Sequence, residues 1–489
     1  MHPLAQLDRR YVWHPFTQMQ DWVRSEPVVI VEGRGAVLLD AHGRSYLDAN
    51  ASIWTNLHGH RHPRLNAAIR RQLNRISHSS ALGLANEPAS LLAAELVRVA
   101  QPKRSRAKSS DASGAGSRKL EKVFFSDDGS TALEVALKLA WETTRRTRGD
   151  KVPRFLGVEG AYHGDTVGAV SLGHIDLFHK AFGGLLFRSD AVMSPYCYRC
   201  PFNRAQPERA DARTYRRCGW ECVGKVEKVW EQARRRGPGY AAFVYEPRMQ
   251  GAAGMIAQPR GWLERVAGLA RSHGALLIAD EVMTGFGRMG VGESFGRRAE
   301  APLFASLHEG VIPDFLCVAK GLTGGYLPMA ATLTTRAVFD AFLGEYEEFR
   351  TFFHGHSFTG NQLGAAASLA SLELLRDPEG VRRRGELEGV LADALKELWR
   401  LPQVGDIRQE GLVVGVELVR DWKTRAPLDL KERVGMRVCE AMAKRGVLTR
   451  PIGSVIVLMP PYCMTPAQVR RCVAALAESI EEVFALHRP

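Results

Sequence analysis

No apolar run in this chain approaches the ~20 residues that a membrane-spanning helix needs. The first residues, Met1-His2-Pro3-Leu4-Ala5-Gln6-Leu7-Asp8, hold no signal-peptide core. These two absences lead to the expectation of a cytoplasmic protein with no membrane partner. Acidic residues are in deficit: 53 Asp and Glu face 66 Lys and Arg, a net charge of +13. A nucleic-acid partner is the first thought. The excess is instead spread over solvated arginine runs such as Arg234-Arg235-Arg236 and Arg382-Arg383-Arg384. It suits anionic small molecules as well, and no nucleic acid is expected. Cysteine is sparse, eight in 489 residues, and four of those stand alone in apolar or helical contexts. The remaining four make Cys197-x2-Cys200 and Cys218-x3-Cys222. That spacing resembles a zinc ribbon or knuckle. Reduced thiols in a cytosolic loop are the alternative, and no metal is assigned because the chemistry elsewhere does not need one.

What is present is a soluble globular composition, 45% hydrophobic and 24% charged. Short bounded apolar runs alternate with helical patterns between residues 64 and 345, which predicts a mostly parallel sheet flanked by helices. After about residue 380 the order changes to helix, strand, helix, strand, helix, a smaller α+β domain that the strands near residues 28–40 would complete. The expected division is 1–63 as the N-terminal part of the small domain, 64–345 as the large domain, and 346–489 as the C-terminal part of the small domain. Residues 103–119, rich in Lys, Arg, Ser, Ala and Gly, read as a mobile surface insertion, and a second insertion is expected near 297–309.

Two of the strand-like runs carry the chemistry. Ala275-Leu276-Leu277-Ile278-Ala279 ends on Asp280, and Phe315-Leu316-Cys317-Val318-Ala319 ends on Lys320. A charge at the end of a doubly buried strand is costly without a partner or a task. A lysine there can form a Schiff base and an aspartate can keep a pyridinium nitrogen protonated, the two groups that pyridoxal phosphate chemistry asks of a protein. Around them lie a strand–turn–helix at Phe125-Ser126-Asp127-Asp128-Gly129-Ser130, fit to cradle a phosphate, and an aromatic in the glycine-rich loop Gly160-Ala161-Tyr162-His163-Gly164, fit to lie on a planar ring. Gly285-Phe286-Gly287-Arg288-Met289-Gly290 matches a dinucleotide fingerprint only in letters, since it does not lead directly from a strand into a helix. The histidines at 58, 60 and 62 and at 354 and 356 lack carboxylates at ligand spacing, so they are not read as metal sites.

Taken together, these blocks resemble the class III aminotransferases, a fold-type I pyridoxal-phosphate family, over residues 10 to 480. The blocks Trp13-His14-Pro15-Phe16-Thr17-Gln18-Met19, Ser52-Ile53-Trp54-Thr55-Asn56-Leu57-His58, Lys320-Gly321-Leu322-Thr323-Gly324-Gly325 and Leu448-Thr449-Arg450-Pro451 are similar to its biotin-pathway branch. The resemblance implies amination of 8-amino-7-oxononanoate to 7,8-diaminononanoate, with S-adenosylmethionine or lysine as amino donor. An ω-amino-acid transaminase acting on 4-aminobutyrate or a diamine is the alternative. It also implies the roles. Lys320 bonds the cofactor and moves protons, Asp280 holds the ring nitrogen, and Tyr162 stacks on the ring. Gly129 and Ser130, with His356 and Ser357 from a second subunit, hold the phosphate, so a homodimer is expected. Glu246 and Gln250 line the cofactor side, Arg450 takes the substrate carboxylate, and Phe16, Trp54 and Gly355 wall the aliphatic chain. Phe16 and Ile53 stand where S-adenosylmethionine users often carry Tyr and Trp, and the His354–Phe358 loop is more like the lysine-using branch.

Overall fold

The computed structural model describes residues 1–101, 118–237, 239–291 and 301–485. The insertion expected at 103–119 falls almost wholly outside these residues, as does the first part of the one expected at 297–309. No helix among the described residues is long and apolar enough to cross a membrane.

A seven-stranded sheet forms the centre of the molecule. Its order is Leu120–Ser126, Ala330–Thr335, Phe315–Val318, Leu276–Asp280, Tyr240–Tyr245, Arg154–Val158 and Asp190–Val192. The last five of these run parallel to one another. Ala330–Thr335 is antiparallel to both of its neighbours. The strands in the middle are buried along their whole length, as expected where helices cover both faces. The 20-residue helix Gly129–Arg148 covers one face, with Leu133, Ala136 and Ala140 packed on Phe155, Val244, Ile278 and Phe315. Trp230, Trp262 and Val266, from helices Glu221–Arg236 and Trp262–Ser272, pack on Phe243, Tyr245 and Leu277 from the other side.

Two smaller sheets hold the chain's ends. Val404–Glu410, Val413–Leu418, Val455–Leu458 and Pro451–Ile452 form an antiparallel sheet. Ile30–Arg34, Val37–Asp40 and Ser45–Asp48 form a meander, and Ser45–Asp48 pairs in parallel with Val447–Leu448. N-terminal and C-terminal residues therefore share one core, in which Ala36 and Leu47 lie with Val416, Val438, Ile456 and Leu476.

The closing helix expected after residue 380 forms as Pro466–Ala485. The strands Ala330–Thr335 and Val404–Glu410 were not anticipated. Ala-Ala-Thr-Leu-Thr-Thr carries few large apolar groups, and the charged Asp406, Arg408 and Glu410 mask the second strand. Both are nevertheless buried, because Thr332 Oγ1 donates to Ala132 O at 2.8 Å and Arg408 pairs with Asp406 at 3.0 Å.

Candidate active site

Asp280 is in register with Cys317 on the neighbouring parallel strand, and Lys320 follows the end of that strand after one intervening residue, Ala319. Both charged groups thus emerge at the C-terminal edge of the sheet, where open α/β folds bind their ligands. They face a cavity of about 1120 Å³, also lined by Tyr162, Glu246, Gly129 and Ser130.

Lys320 sits at φ +44, the left-handed region that only glycine enters freely. The turn that imposes this conformation is fixed by bonds from Leu322 N–H to Ala319 O and from Gly324 N–H to Gly321 O, both 2.9 Å. The ammonium lies 4.6 Å from the centre of the Trp54 ring. Burial lowers the pKa of Lys320, Arg288 adds to the effect, and Asp280 and Glu246 oppose it. The net result is an amine that gives up its proton more readily than a solvated one.

Asp280 is 5% exposed. One carboxylate oxygen accepts from Val282 N–H at 3.0 Å, and the other meets His163 Nδ1 at 2.8 Å. Burial alone would push this imidazole down, but the bond to Asp280 and its charge outweigh burial, and the net shift is upward. Sequence reading passed over His163, which stands one residue beyond the aromatic of its loop, because nothing local marks it until the loop folds back onto the strand end. Glu246 is raised to about 7 by burial, and the Asp280 charge adds to this against His163. Its oxygens accept from Tyr162 N–H at 3.2 Å and Gly251 N–H at 2.8 Å, so it braces the Tyr162 loop. The Tyr162 hydroxyl donates to Asp165 at 2.6 Å.

Gly129 and Ser130 begin the Gly129–Arg148 helix, capped by Asp128, whose side chain accepts from Thr131 N–H at 2.9 Å. A Cβ on Gly129 would stand 2.7 Å from the Val282 side chain, and one on Gly164 would stand 2.0 Å from Ser130 Oγ. The main chain at Gly129 and Gly164 therefore lies against the Val282 and Ser130 side chains with no room for a Cβ, which leaves the helix N-terminus uncovered as an anion cradle requires. Ser130 Oγ accepts from Asp165 N–H at 3.2 Å, which leaves its own hydrogen to donate elsewhere.

Facing this floor is a wall of unusual backbone. Ala51, Ser52, Ile53 and Trp54 have φ of 44, 48, 61 and 68, one turn of left-handed helix. Such a turn costs about 1–2 kcal/mol for each L-residue. Asp48 holds it, accepting from Ser52 N–H at 3.0 Å and Ser52 Oγ at 2.7 Å, and pairing with His60 at 3.2 Å. Trp54 Nε1 donates to Asn50 Oδ1 at 2.9 Å. Phe16 and Arg450 complete the mouth, where Arg450 Nη2 donates to Phe16 O at 3.4 Å.

Four expected residues stand outside this lining. Gly355 is exposed, as is Ser357, while His356 pairs with Asp127 at 3.1 Å and keeps a buried Nε2 without a partner. Gln250 also lies behind the wall, its amide donating to Glu159 O at 3.0 Å. The 285–290 glycines form successive turns around a buried Arg288, which donates to Pro460 O at 2.8 Å and Asn56 O at 3.0 Å.

The model of the family described as Aminotransferase class-III matches residues 18–480. The chain belongs to the class-III aminotransferases. This aminotransferase is 46% identical, over 98% of each chain, to the adenosylmethionine-8-amino-7-oxononanoate aminotransferase of Geobacter sulfurreducens. Its fold matches the crystal structure of the enzyme of that name from Methanocaldococcus jannaschii with a TM-score of 0.84 and 37% identity, covering 98% of both chains. It matches an amine transaminase of an uncultivated Pseudomonas species, in its pyridoxal-phosphate-bound form, with a TM-score of 0.83 and 30% identity, covering 96% of this chain and 98% of that one. It is a pyridoxal-phosphate-dependent transaminase. The cavity suits that cofactor: a lysine and a buried aspartate at its floor, a helix N-terminus stripped of Cβ bulk beside them, and an aromatic loop between.

Proposed function

We propose that this aminotransferase converts 8-amino-7-oxononanoate to 7,8-diaminononanoate, taking its nitrogen from S-adenosylmethionine or lysine. The observation that carries the reading is the placement of Lys320 and Asp280 on adjacent strand ends under a cavity whose mouth holds Arg450 and Phe16. At about 1120 Å³ the cavity has room for a cofactor and a nine-carbon acid. The names of the relatives point to the same acceptor.

Bound pyridoxal phosphate supplies an electron sink for charge developing on the substrate carbon. Asp280, oriented by His163, holds a proton at the ring nitrogen. Lys320 would hold the cofactor through its Nζ and would serve the reaction as general acid and base. Tyr162 stacks against the ring and Glu246 fixes its loop. Gly129 and Ser130 hold the phosphate from one side, and the partner subunit's His356 and Ser357 from the other. Arg450 pairs with the substrate carboxylate, while Phe16 and Trp54 border its chain, joined by Gly355 of the partner subunit, from the same loop as the partner's His356 and the partner's Ser357.

A homodimer is part of this reading. Phe349, Phe353 and Phe358 are 67%, 77% and 59% exposed around the loop that carries His356 and Ser357. Apolar surface of this kind is better covered by a second copy than left in water. The domain division at residues 63 and 345 and a cytoplasmic location complete the proposal.

The test is to incubate the purified protein with pyridoxal phosphate, 8-amino-7-oxononanoate and either S-adenosylmethionine or lysine, then measure 7,8-diaminononanoate by mass spectrometry. Product with one donor supports the reading and identifies that donor. Turnover of 4-aminobutyrate or simple amines alone would move the chain to the amine transaminases, to one of which it is also similar.

A further inference from the structure

The segment from Tyr196 to Trp220 has no place in the chemistry above, yet Tyr196 and Arg199 reach the cavity wall. It carries Cys197, Cys200 and Cys218, and Cys222 follows just beyond it. Its hydrogen bonds fold it into a knuckle laid against a helix start. Arg199 N–H donates to Tyr196 O at 3.1 Å, closing the turn between the first two cysteines. Asn203 ties the two cysteine pairs together: its N–H donates to Cys200 O at 3.1 Å and its amide donates to Cys197 O at 3.0 Å. The Asn203 amide oxygen accepts from Arg217 N–H at 2.9 Å, next to Cys218, and Arg204 N–H donates to Arg217 O at 3.1 Å. Cys218 precedes the 16-residue helix Glu221–Arg236, and Cys222 lies in its first turn.

Cys197 and Cys222 are buried, Cys200 and Cys218 are half-buried, and all four are free thiols. The Asn203 bonds bring the turn that carries Cys197 and Cys200 against the chain just before Cys218. Counter-charge is at hand. Arg216 Nη1 lies 3.0 Å from Cys218 Sγ, its guanidinium stacks 4.1 Å from the Trp220 ring, and the helix N-terminus points the same way. Two ligand pairs spaced by two and three residues, one in a tight turn and one at a helix start, suit a closed tetrahedral site. An all-sulfur set selects zinc among the abundant divalent metals.

We propose that Cys197, Cys200, Cys218 and Cys222 bind one zinc ion, which locks this knuckle in place at the edge of the substrate cavity. Among the described residues no three His, Cys, Asp or Glu side chains already stand in a metal-holding array. Binding the ion therefore requires the cysteine side chains to move from the positions they hold here. The ion is structural and has no open position for substrate. Its service to the reaction is positional: the Tyr196 hydroxyl and Arg199 Nε, the latter at 2.9 Å, both bind Glu417 on the strand Val413–Leu418. The knuckle thereby fastens that strand to the side of the cavity.

The test is metal analysis of the full-length protein, purified without a nickel column and dialysed against metal-stripped buffer. The expected result is about one zinc ion per chain. Changing the two half-buried ligands, Cys200→Ser with Cys218→Ser, should lower the zinc at least about tenfold and lower the melting temperature. Should the double variant fail to fold, the wild type grown with cobalt decides, through the thiolate charge-transfer and tetrahedral d–d absorption expected of a site made of four thiolates. A folded wild type with less than about a tenth of a zinc ion per chain and no such cobalt spectrum would overturn the proposal. Zinc retained undiminished by a folded double variant would overturn it too. None of these readouts depends on which amino donor or acceptor the enzyme uses.

Discussion

The floor and the wall of the cavity are built by opposite means. Asp280 ends one regular parallel strand and Lys320 stands just beyond the next, where register and the turn that follows bring them together. Trp54 and Ile53 stand on a left-handed turn that ordinary L-residues avoid, and the bonds of Asp48 and Asn50 keep it there. The floor is costly in buried charge and carries its backbone strain at Lys320, whereas the wall carries strain at four successive residues, Ala51 to Trp54. A floor of this kind fixes where chemistry happens. A wall of this kind presents side chains at angles that a right-handed helix or a strand does not offer.

The comparison can be broken most forcefully at the floor. Lys320→Ala should lower kcat/KM by at least about 10³-fold. In the same variant the cofactor should no longer stay with the chain after borohydride reduction and denaturation. An active variant would remove the lysine from the mechanism.

A buried-charge cost at the floor should also show in a pH profile. Glu281, behind Asp280, is raised to about 7 by burial, although Ser306 N–H at 2.8 Å and Ala305 N–H both serve its carboxylate. Its folded pKa exceeds its unfolded value, so the folded state holds the extra proton between pH 4.5 and 7 and stability falls as pH rises through that window. The loss is about 3 kcal/mol. Glu281→Gln should flatten this part of the curve in urea titrations at stepped pH, and an unchanged slope would assign the pH dependence elsewhere.

At the wall, Asp48→Ala removes both bonds to Ser52 and the pairing with His60. The expected loss is about 2–3 kcal/mol in stability, with a raised KM as Trp54 shifts, read by denaturant unfolding and steady-state kinetics. The smallest effect is the sharpest test of the strained turn. Ile53→Gly relieves about 1–2 kcal/mol of left-handed strain while adding about 0.5–1 kcal/mol of unfolded-state entropy. The net change in unfolding free energy should stay within about 1 kcal/mol and lean toward stabilisation. A loss of several kcal/mol would mean that Ile53 is held by packing and the turn is not strained.

The same contrast decides what was legible in the sequence. Strand runs ending on Asp280 and Lys320 follow from local apolar pattern, and so do the helix starting at Gly129 and the terminal helix. His163 was not legible, because its role depends on a loop returning to a strand end 117 residues away. The 51–54 turn was hidden for another reason: Ala-Ser-Ile-Trp has no glycine to announce positive φ, and the residue that stabilises it, Asp48, reads as an ordinary strand end. The strands Ala330–Thr335 and Val404–Glu410 escaped because threonines and paired charges stand where apolar residues signal burial.

Gly325 is where floor and wall touch. A Cβ there would stand 2.7 Å from the Thr55 carbonyl carbon and 2.8 Å from Asn56 Cα, so main chain rests directly on main chain one residue beyond Trp54. The distance from the reactive amine to the wall is thus gauged by peptide units and not by side chains. Residues 16, 53 and 54 are left as interchangeable jaws on a fixed vice. Exchanging them should alter which molecule is gripped while the point of attack stays where it is.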